Sequence, residues 1–431
     1  MPGRRHGTLH PARVRPFRTW ADLLWRVGLA LALYPYLGYP LLLGLLGRLC
    51  RHAPAAADDA AILSTSAAII IPAHNEAAVI EHKLSRLLAL VEAEAPGSEV
   101  IVVCDGSTDG TAELARRWER RGARLVRLPR RAGKAAALNA GVAASRGELL
   151  VFSDANAIPL PGALRHLLRH FQDPRVGVVS GAKRIIAEPE AVPSPQESWY
   201  WCFEDLLKWL ESRLGAIAGV DGALMAVRRA AWQPLPDDRA SQDFFPALRA
   251  ALAGWRLVYE PAAVALEHAA PSLRYELSRK DRTLGGGLVA IWRCRRLLGP
   301  RHPLLAWMLL SHRLLRFTVL PALVATLVGA ARGRSRLARP LLAAQLVAYL
   351  VALGGWVALR LGWRPPSLLL APGYFLAVHL ATLRGIAWAL RPRTEDLWVP
   401  IPRREALRTT ASLQRAPEQA RCDSGACQDG C

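Results

Sequence analysis

The 431-residue chain reads as an α/β domain, a mostly parallel sheet with helices on both faces, flanked by transmembrane helices. Three observations predict this. Apolar runs of strand length alternate with helical stretches through residues 67–284, long apolar segments lie on both sides of that region, and short acidic motifs follow the apolar runs. Strands alternating with helices imply a parallel sheet covered on both faces.

Residues 1–22 form a basic tail, and residues 23–49 are mostly apolar. About 20 apolar residues span a bilayer core, so the second segment is long enough to cross. It is too long for a signal-peptide core and no cleavage pattern follows, so an anchor is expected. Residues 50–66 are a small-residue linker. Within 67–284 the strand-like runs are Ala68–Ile71, Val100–Val103, Leu125–Val126 and Leu149–Phe152, each followed by a turn and a helical stretch. Residues 285–302 carry Trp292 among Arg293, Arg295 and Arg296, which suits an amphipathic helix in the membrane interface. Residues 303–391 hold about three further apolar stretches, the first made partly interfacial by His312, Arg313 and Arg316. Residues 392–431 are a polar tail, expected to be disordered.

Hydrophobic residues (52%) and charged residues (21%) are segregated along the chain, as befits a domain joined to membrane segments. The net charge of +21 suits an anionic membrane surface or an anionic substrate. Nucleic acid is not expected, since no RNP, helix-turn-helix or zinc-finger pattern occurs. Cys50, Cys104, Cys202 and Cys294 lack paired spacing and read as reduced thiols. Cys422, Cys427 and Cys431 lie in the polar tail without a Cys-x-x-Cys pair.

Sheets of this kind bind ligands beyond the carboxyl ends of their strands. Every acidic motif up to Asp154 falls at such an end. After the first run, Asn75 suits a turn and Glu76 suits a helix N-terminus, as ligand contact or as cap. After the second, Asp105 can accept from a base N–H while Gly106 admits close backbone approach. Lys134 follows Gly133 at a helix start, where an ammonium beside helix N–H groups suits a phosphate or a carboxylate; the P-loop spacing is missing. Asp154 and Asn156 follow the fourth run, where a carboxylate suits Mg²⁺ or Mn²⁺ shared with substrate phosphates, or else a structural ion pair. Asp243 opens a later helical segment, placed to take a proton from a hydroxyl. Arg279 and Arg282, three apart, present paired guanidiniums to a diphosphate or a lipid headgroup.

In order, these motifs resemble the membrane-bound family-2 glycosyltransferases, in the branch of the cellulose, chitin and hyaluronan synthases. The likeness covers about residues 65–285, with similarly arranged hydrophobic flanks. Each motif is weakly specific and the ordered set strongly so. The resemblance implies a GT-A fold, an inverting reaction, a nucleotide-sugar donor (a UDP-sugar), a divalent cation, and a glycan or lipid acceptor. By position it makes Asp105 the uracil-binding aspartate and Asp154 the first aspartate of the Asp-x-Asp motif. It makes Asp243 the general base and Arg279 with Arg282 a relaxed Gln/Arg-x-x-Arg-Trp motif. Asp221 and Gly222 match the segment lining the acceptor end. Asn156 departs from the second aspartate, and Thr283 replaces the tryptophan platform, which leaves transfer of one or a few sugars beside polymer synthesis. The resemblance also implies a multi-pass protein of the inner cell membrane with its catalytic domain in the cytoplasm. The reading from another class is a membrane protein that binds a nucleotide without catalysis.

Overall fold

The computed structural model describes residues 20–49, 66–186, 195–238, 240–268, 273–363 and 365–391. The cysteines of the tail and most of the N-terminal tail and linker lie outside these residues.

Among the described residues, eight strands form one sheet in the order β3-β2-β1-β4-β7-β6-β8-β5. They are β1 (Ala67–Ala73), β2 (Glu99–Asp105), β3 (Ala123–Leu128), β4 (Leu149–Phe152), β5 (Ile158–Pro159), β6 (Val176–Ile186), β7 (Met225–Arg228) and β8 (Arg256–His268). The first half is parallel, with Ile70 opposite both Ile101 and Phe152. The second half is mixed, because β7 runs antiparallel to both β4 and β6 while β6 and β8 are parallel. That reversal sends β6 and β8 the same way as β4. All the long strands therefore end at one edge of the sheet.

β1 reads Ala-Ala-Ile-Ile-Ile-Pro-Ala and is buried throughout. Its alternate side chains enter two separate cores: Ala68 and Ile70 on one face, Ala67, Ile69 and Ile71 on the other. A strand covered on both faces needs apolar residues at every position, which is why the sequence shows runs and not alternation there. The helix Ile80–Glu94 covers one face with Ile80, Leu84, Leu87 and Val91, at the three-to-four spacing of one helical stripe.

Among the described residues, four helices are long and apolar enough to cross a membrane: Trp20–Leu49, Pro303–Arg332, Ala338–Arg360 and Ser367–Leu390. Their outward faces are greasy, with Leu41 68% and Leu350 66% exposed, a pattern that suits lipid and not water. The inner face of Trp20–Leu49 joins the core of the sheet domain through buried Tyr39 and Leu43, as do Leu305, Met308 and Leu309 of Pro303–Arg332.

The polar residues at the front of Pro303–Arg332 are met by protein. His312 lies between Glu211 (2.7 Å) and Glu204 (3.1 Å), two buried carboxylates of the helix Pro195–Arg213. The Tyr39 hydroxyl donates to Glu211 Oε1 at 2.6 Å, and Arg316 pairs with Glu204. Burial opposes charge at Glu204, yet Arg316 and His312 hold its carboxyl well below the usual range. Removing one member would strand a buried charge at about 3–5 kcal/mol.

The segments expected as 67–284 and 285–302 meet inside one helix, Leu273–Arg293, which carries Arg279, Arg282 and Trp292 together. Within that helix Gly285 serves packing. A Cβ there would stand 2.7 Å from Gly385 O and 2.4 Å from Trp388, so the helix lies directly against Ser367–Leu390.

Candidate active site

A cavity of about 900 Å³ is lined by residues at the ends of β4, β6 and β8, within the range of small-molecule sites. β4 ends at Phe152, and the turn after it brings Asp154 and Asn156 to the wall. That turn is fixed from beneath by Lys83, fully buried on Ile80–Glu94. Lys83 Nζ donates to Ser153 Oγ at 2.7 Å and to the Ala157 carbonyl, and Ser153 Oγ donates to Ala223 O at 3.0 Å. Burial pushes the Lys83 ammonium down to about 7, against a pull upward from Asp154.

Lys134 starts the helix Lys134–Ala144 and reaches across the cavity. Its Nζ lies 2.8 Å from Asp154 Oδ1 and 3.0 Å from Asp243 Oδ1. Burial disfavours its charge, but the two carboxylates outweigh that and hold the ammonium above its usual range. Asp154 is raised, by burial first and by the neighbouring charges of Asp243 and Glu267, with Lys134 opposing.

Asp243 immediately precedes the helix Phe244–Leu252, whose first turn closes with Phe245 N–H donating to Ser241 O at 2.9 Å. Its carboxylate rests on bare backbone: a Cβ on Gly222 would stand 2.3 Å from Asp243 Cγ. Asp221, beside it, lies 3.6 Å from Lys183 Nζ. Arg279 and Arg282 line the cavity from Leu273–Arg293, and Arg279 Nη1 donates to Glu267 Oε1 at 3.1 Å. Glu76 also lines it, and is buried.

Asn75, Asp105 and Gly106 do not line the cavity. Asp105 is buried, and its carboxylate accepts from the Ala132 (2.6 Å) and Gly133 (2.8 Å) N–H groups. The backbone that approaches Gly106, at φ +58°, is that of this chain: a Cβ there would be 2.4 Å from Arg131 N. Asn75, at φ +52°, accepts from Thr108 N–H at 2.8 Å. Asp105 and Gly106 thus fasten the segment Arg130–Gly133, which does line the cavity, and Asn75 ties the first turn to the second. The two backbone donors that hold Asp105 come from residues 132 and 133, which order along the chain does not reveal.

Sequence reasoning passed over Arg130, Arg131, Lys183, Glu267 and Lys280, all in the lining. Glu267 had a usable signal, since it follows the apolar run Val264-Ala265-Leu266 as Asp154 follows Leu149–Phe152. Lys183 closes a buried run in β6 and sits over the Trp201 ring at 3.5 Å.

Among the described residues no group of three or more His, Cys, Asp or Glu is placed to hold a metal ion. A cation shared with substrate phosphates needs less, one or two carboxylates with water completing the shell. Asp154 meets that, and the pair Asp154 and Asp243 already brackets a positive charge at hydrogen-bond distance. The donor set fits.

Residues 68–231 match the family described as Glycosyl transferase family 2. Among curated proteins, the poly-beta-1,6-N-acetyl-D-glucosamine synthase of Staphylococcus aureus (strain COL) is 29% identical over 203 residues, 45% of this chain and 48% of that protein. The synthase of the same name from Staphylococcus epidermidis is 26% identical over 200 residues, with the same coverage. The chain spans about half the length of the curated relatives it matches. Among solved structures, the mannosyltransferase PcManGT from Pyrobaculum calidifontis, in complex with GDP-Man and Mn2+, aligns with a TM-score of 0.61 at 28% identity. That alignment covers 84% of this chain and 99% of the other. The fold is accordingly GT-A-like, a mixed sheet with helices, flanked among the described residues by four candidate membrane helices.

Proposed function

We propose, from the premise that the chain carries a glycosyl transferase family 2 domain, that it is an inverting glycosyltransferase acting at a membrane. It moves a sugar from a nucleotide-diphosphate donor, a UDP-sugar, to a glycan or lipid-linked acceptor. One observation carries this reading: Asp154 and Asp243, far apart in sequence, meet at Lys134 Nζ (2.8 and 3.0 Å) in a cavity also lined by Arg279 and Arg282.

In this reading Asp243 takes the proton from the acceptor hydroxyl as its oxygen attacks the anomeric carbon, from the face opposite the diphosphate. The carbon–oxygen bond to the diphosphate breaks and the configuration inverts. Arg279 and Arg282 receive the departing charge, with planar donors suited to phosphate oxygens. Lys134 steadies both carboxylates between turnovers. Asp221 and Gly222 line the side from which the acceptor enters, and the contact of Gly222 with Asp243 sets the base against it. Asp154 and Asn156 are the residues to hold Mg²⁺ or Mn²⁺, which when bound supplies positive charge to the leaving diphosphate. The similar mannosyltransferase is in complex with GDP-Man and Mn2+, and that supports a divalent cation here.

The four apolar helices support a multi-pass membrane protein, and we place it in the inner cell membrane with the domain toward the cytoplasmic pool of nucleotide sugars. N-Acetylglucosamine is the first sugar to test, given the curated relatives. The test is nucleotide release and sugar transfer by detergent-purified protein over a panel of UDP- and GDP-sugars, with and without Mn²⁺. Donor binding without turnover of any sugar under all conditions would favour a non-catalytic nucleotide-binding protein.

A further inference from the structure

The proposed cation site offers one carboxylate, Asp154, and one amide, Asn156. The amide is held in a defined orientation. Asn156 Nδ2 donates to Glu267 Oε1 at 3.1 Å, and because a carboxylate only accepts, this bond fixes which end of the amide is nitrogen. The carbonyl oxygen is then the end turned away from Glu267. Glu267 is 7% exposed, near the end of β8. The same Oε1 accepts from Arg279 at 3.1 Å, and Oε2 lies 3.4 Å from Lys183 Nζ.

We infer that Glu267 is the positioning residue of this site: from a separate strand it supplies the negative charge that Asn156 lacks, presents the Asn156 carbonyl oxygen to the cavity, and holds Arg279 in the same grip. The inference rests on the glycosyltransferase reading above. It also explains the residue at 156. An aspartate there would face Glu267 across a gap now closed by one hydrogen bond, two carboxylates with no proton between them. Asparagine at 156 and glutamate at 267 are a matched pair.

Four forms of the full chain in detergent test this: wild type, Asn156→Asp, Glu267→Gln and the double variant. The readouts are Mn²⁺ affinity by EPR titration without donor, and melting temperature. Loss of a residue that orients a metal ligand weakens metal affinity by about 10–100-fold, and Glu267→Gln is expected in that range. Asn156→Asp alone should lower the melting temperature, since like charges are forced together. In the double variant the amide and the carboxylate have exchanged places, so both readouts should recover beyond the product of the single effects. If the double variant shows only that product, the sites are independent and the inference is overturned. If Glu267→Gln does not fold, recovery of folding in the double variant supports the pairing and failure there overturns it. Coupled Mn²⁺ affinities in a protein that turns over no sugar nucleotide would support the pairing while overturning the glycosyltransferase reading.

Discussion

Gly222→Ala probes the base without touching it. A Cβ at 222 would stand 2.3 Å from Asp243 Cγ and Oδ2 and 2.4 Å from Oδ1. Non-bonded carbons rest at about 3.5–4.0 Å, so the carboxylate must retreat by roughly 1 Å. All three crowded atoms belong to the end of one side chain that is 27% exposed to the cavity. The protein therefore folds and the carboxylate moves. The retreat shifts Asp243 from the position in which it meets Lys134 at 3.0 Å and would meet the acceptor hydroxyl. A misplacement of about 1 Å can cost about 10²-fold, so kcat should fall by roughly that factor. Donor KM should hold, because Arg279 and Arg282 are untouched. The assay is initial-rate sugar transfer at saturating donor, beside a melting curve in the same detergent. An unchanged kcat in a variant with wild-type melting temperature would refute Asp243 as the base.

Three more outcomes follow from the same geometry. Lys83 titrates at about 7 when folded and near 10.5 when unfolded; between these values only the unfolded chain holds the proton, so its contribution makes stability climb with pH from about 7, by up to about 1.4 kcal/mol per pH unit. Lys83→Met should flatten that climb in melting temperatures measured across the window, and an unaltered slope would count against the loss of the Lys83 proton on folding. Arg282→Ala should raise donor KM by roughly 10–100-fold, taking a hydrogen bond to a charged group as about 1.5–3 kcal/mol, with steady-state kinetics as the check. Lys134→Met leaves Asp154 and Asp243 facing each other without their cation, so its melting temperature should fall at neutral pH and approach wild type as the pH enters the carboxylate range; a deficit independent of pH would assign Lys134 a packing role instead.

The β1, β2 and β4 runs were legible because strands buried on both faces must be apolar at every position. The carboxyl-end rule then pointed to Asp154, and the structure brings Asp154, Asp243, Arg279 and Arg282 to one cavity. The antiparallel β7 was not legible, since Met225–Arg228 runs into a short 3-10 helix, Arg229–Ala231, and so falls outside the strand–helix alternation that marked the other runs. Its insertion brings the ends of β6 and β8 to the same edge, which is how Lys183 and Glu267 reach the site. Asp105 shows a different limit: its motif announces an aspartate at a strand end, while the two backbone donors that also hold it come from residues 132 and 133 across the next βα unit. The polar residues at 312, 313 and 316 likewise signalled an interface. Their partners, Glu204 and Glu211, lie a hundred positions away on a helix that sequence patterning leaves unconnected to them.

Asp243→Asn in the detergent-purified full chain is the most direct test, with transfer rate and donor affinity measured on one preparation. Transfer should drop by about 10²–10⁴-fold while donor affinity stays at the wild-type value. Wild-type transfer by this variant would contradict the claim that the Asp154–Lys134–Asp243 convergence is a site of sugar transfer.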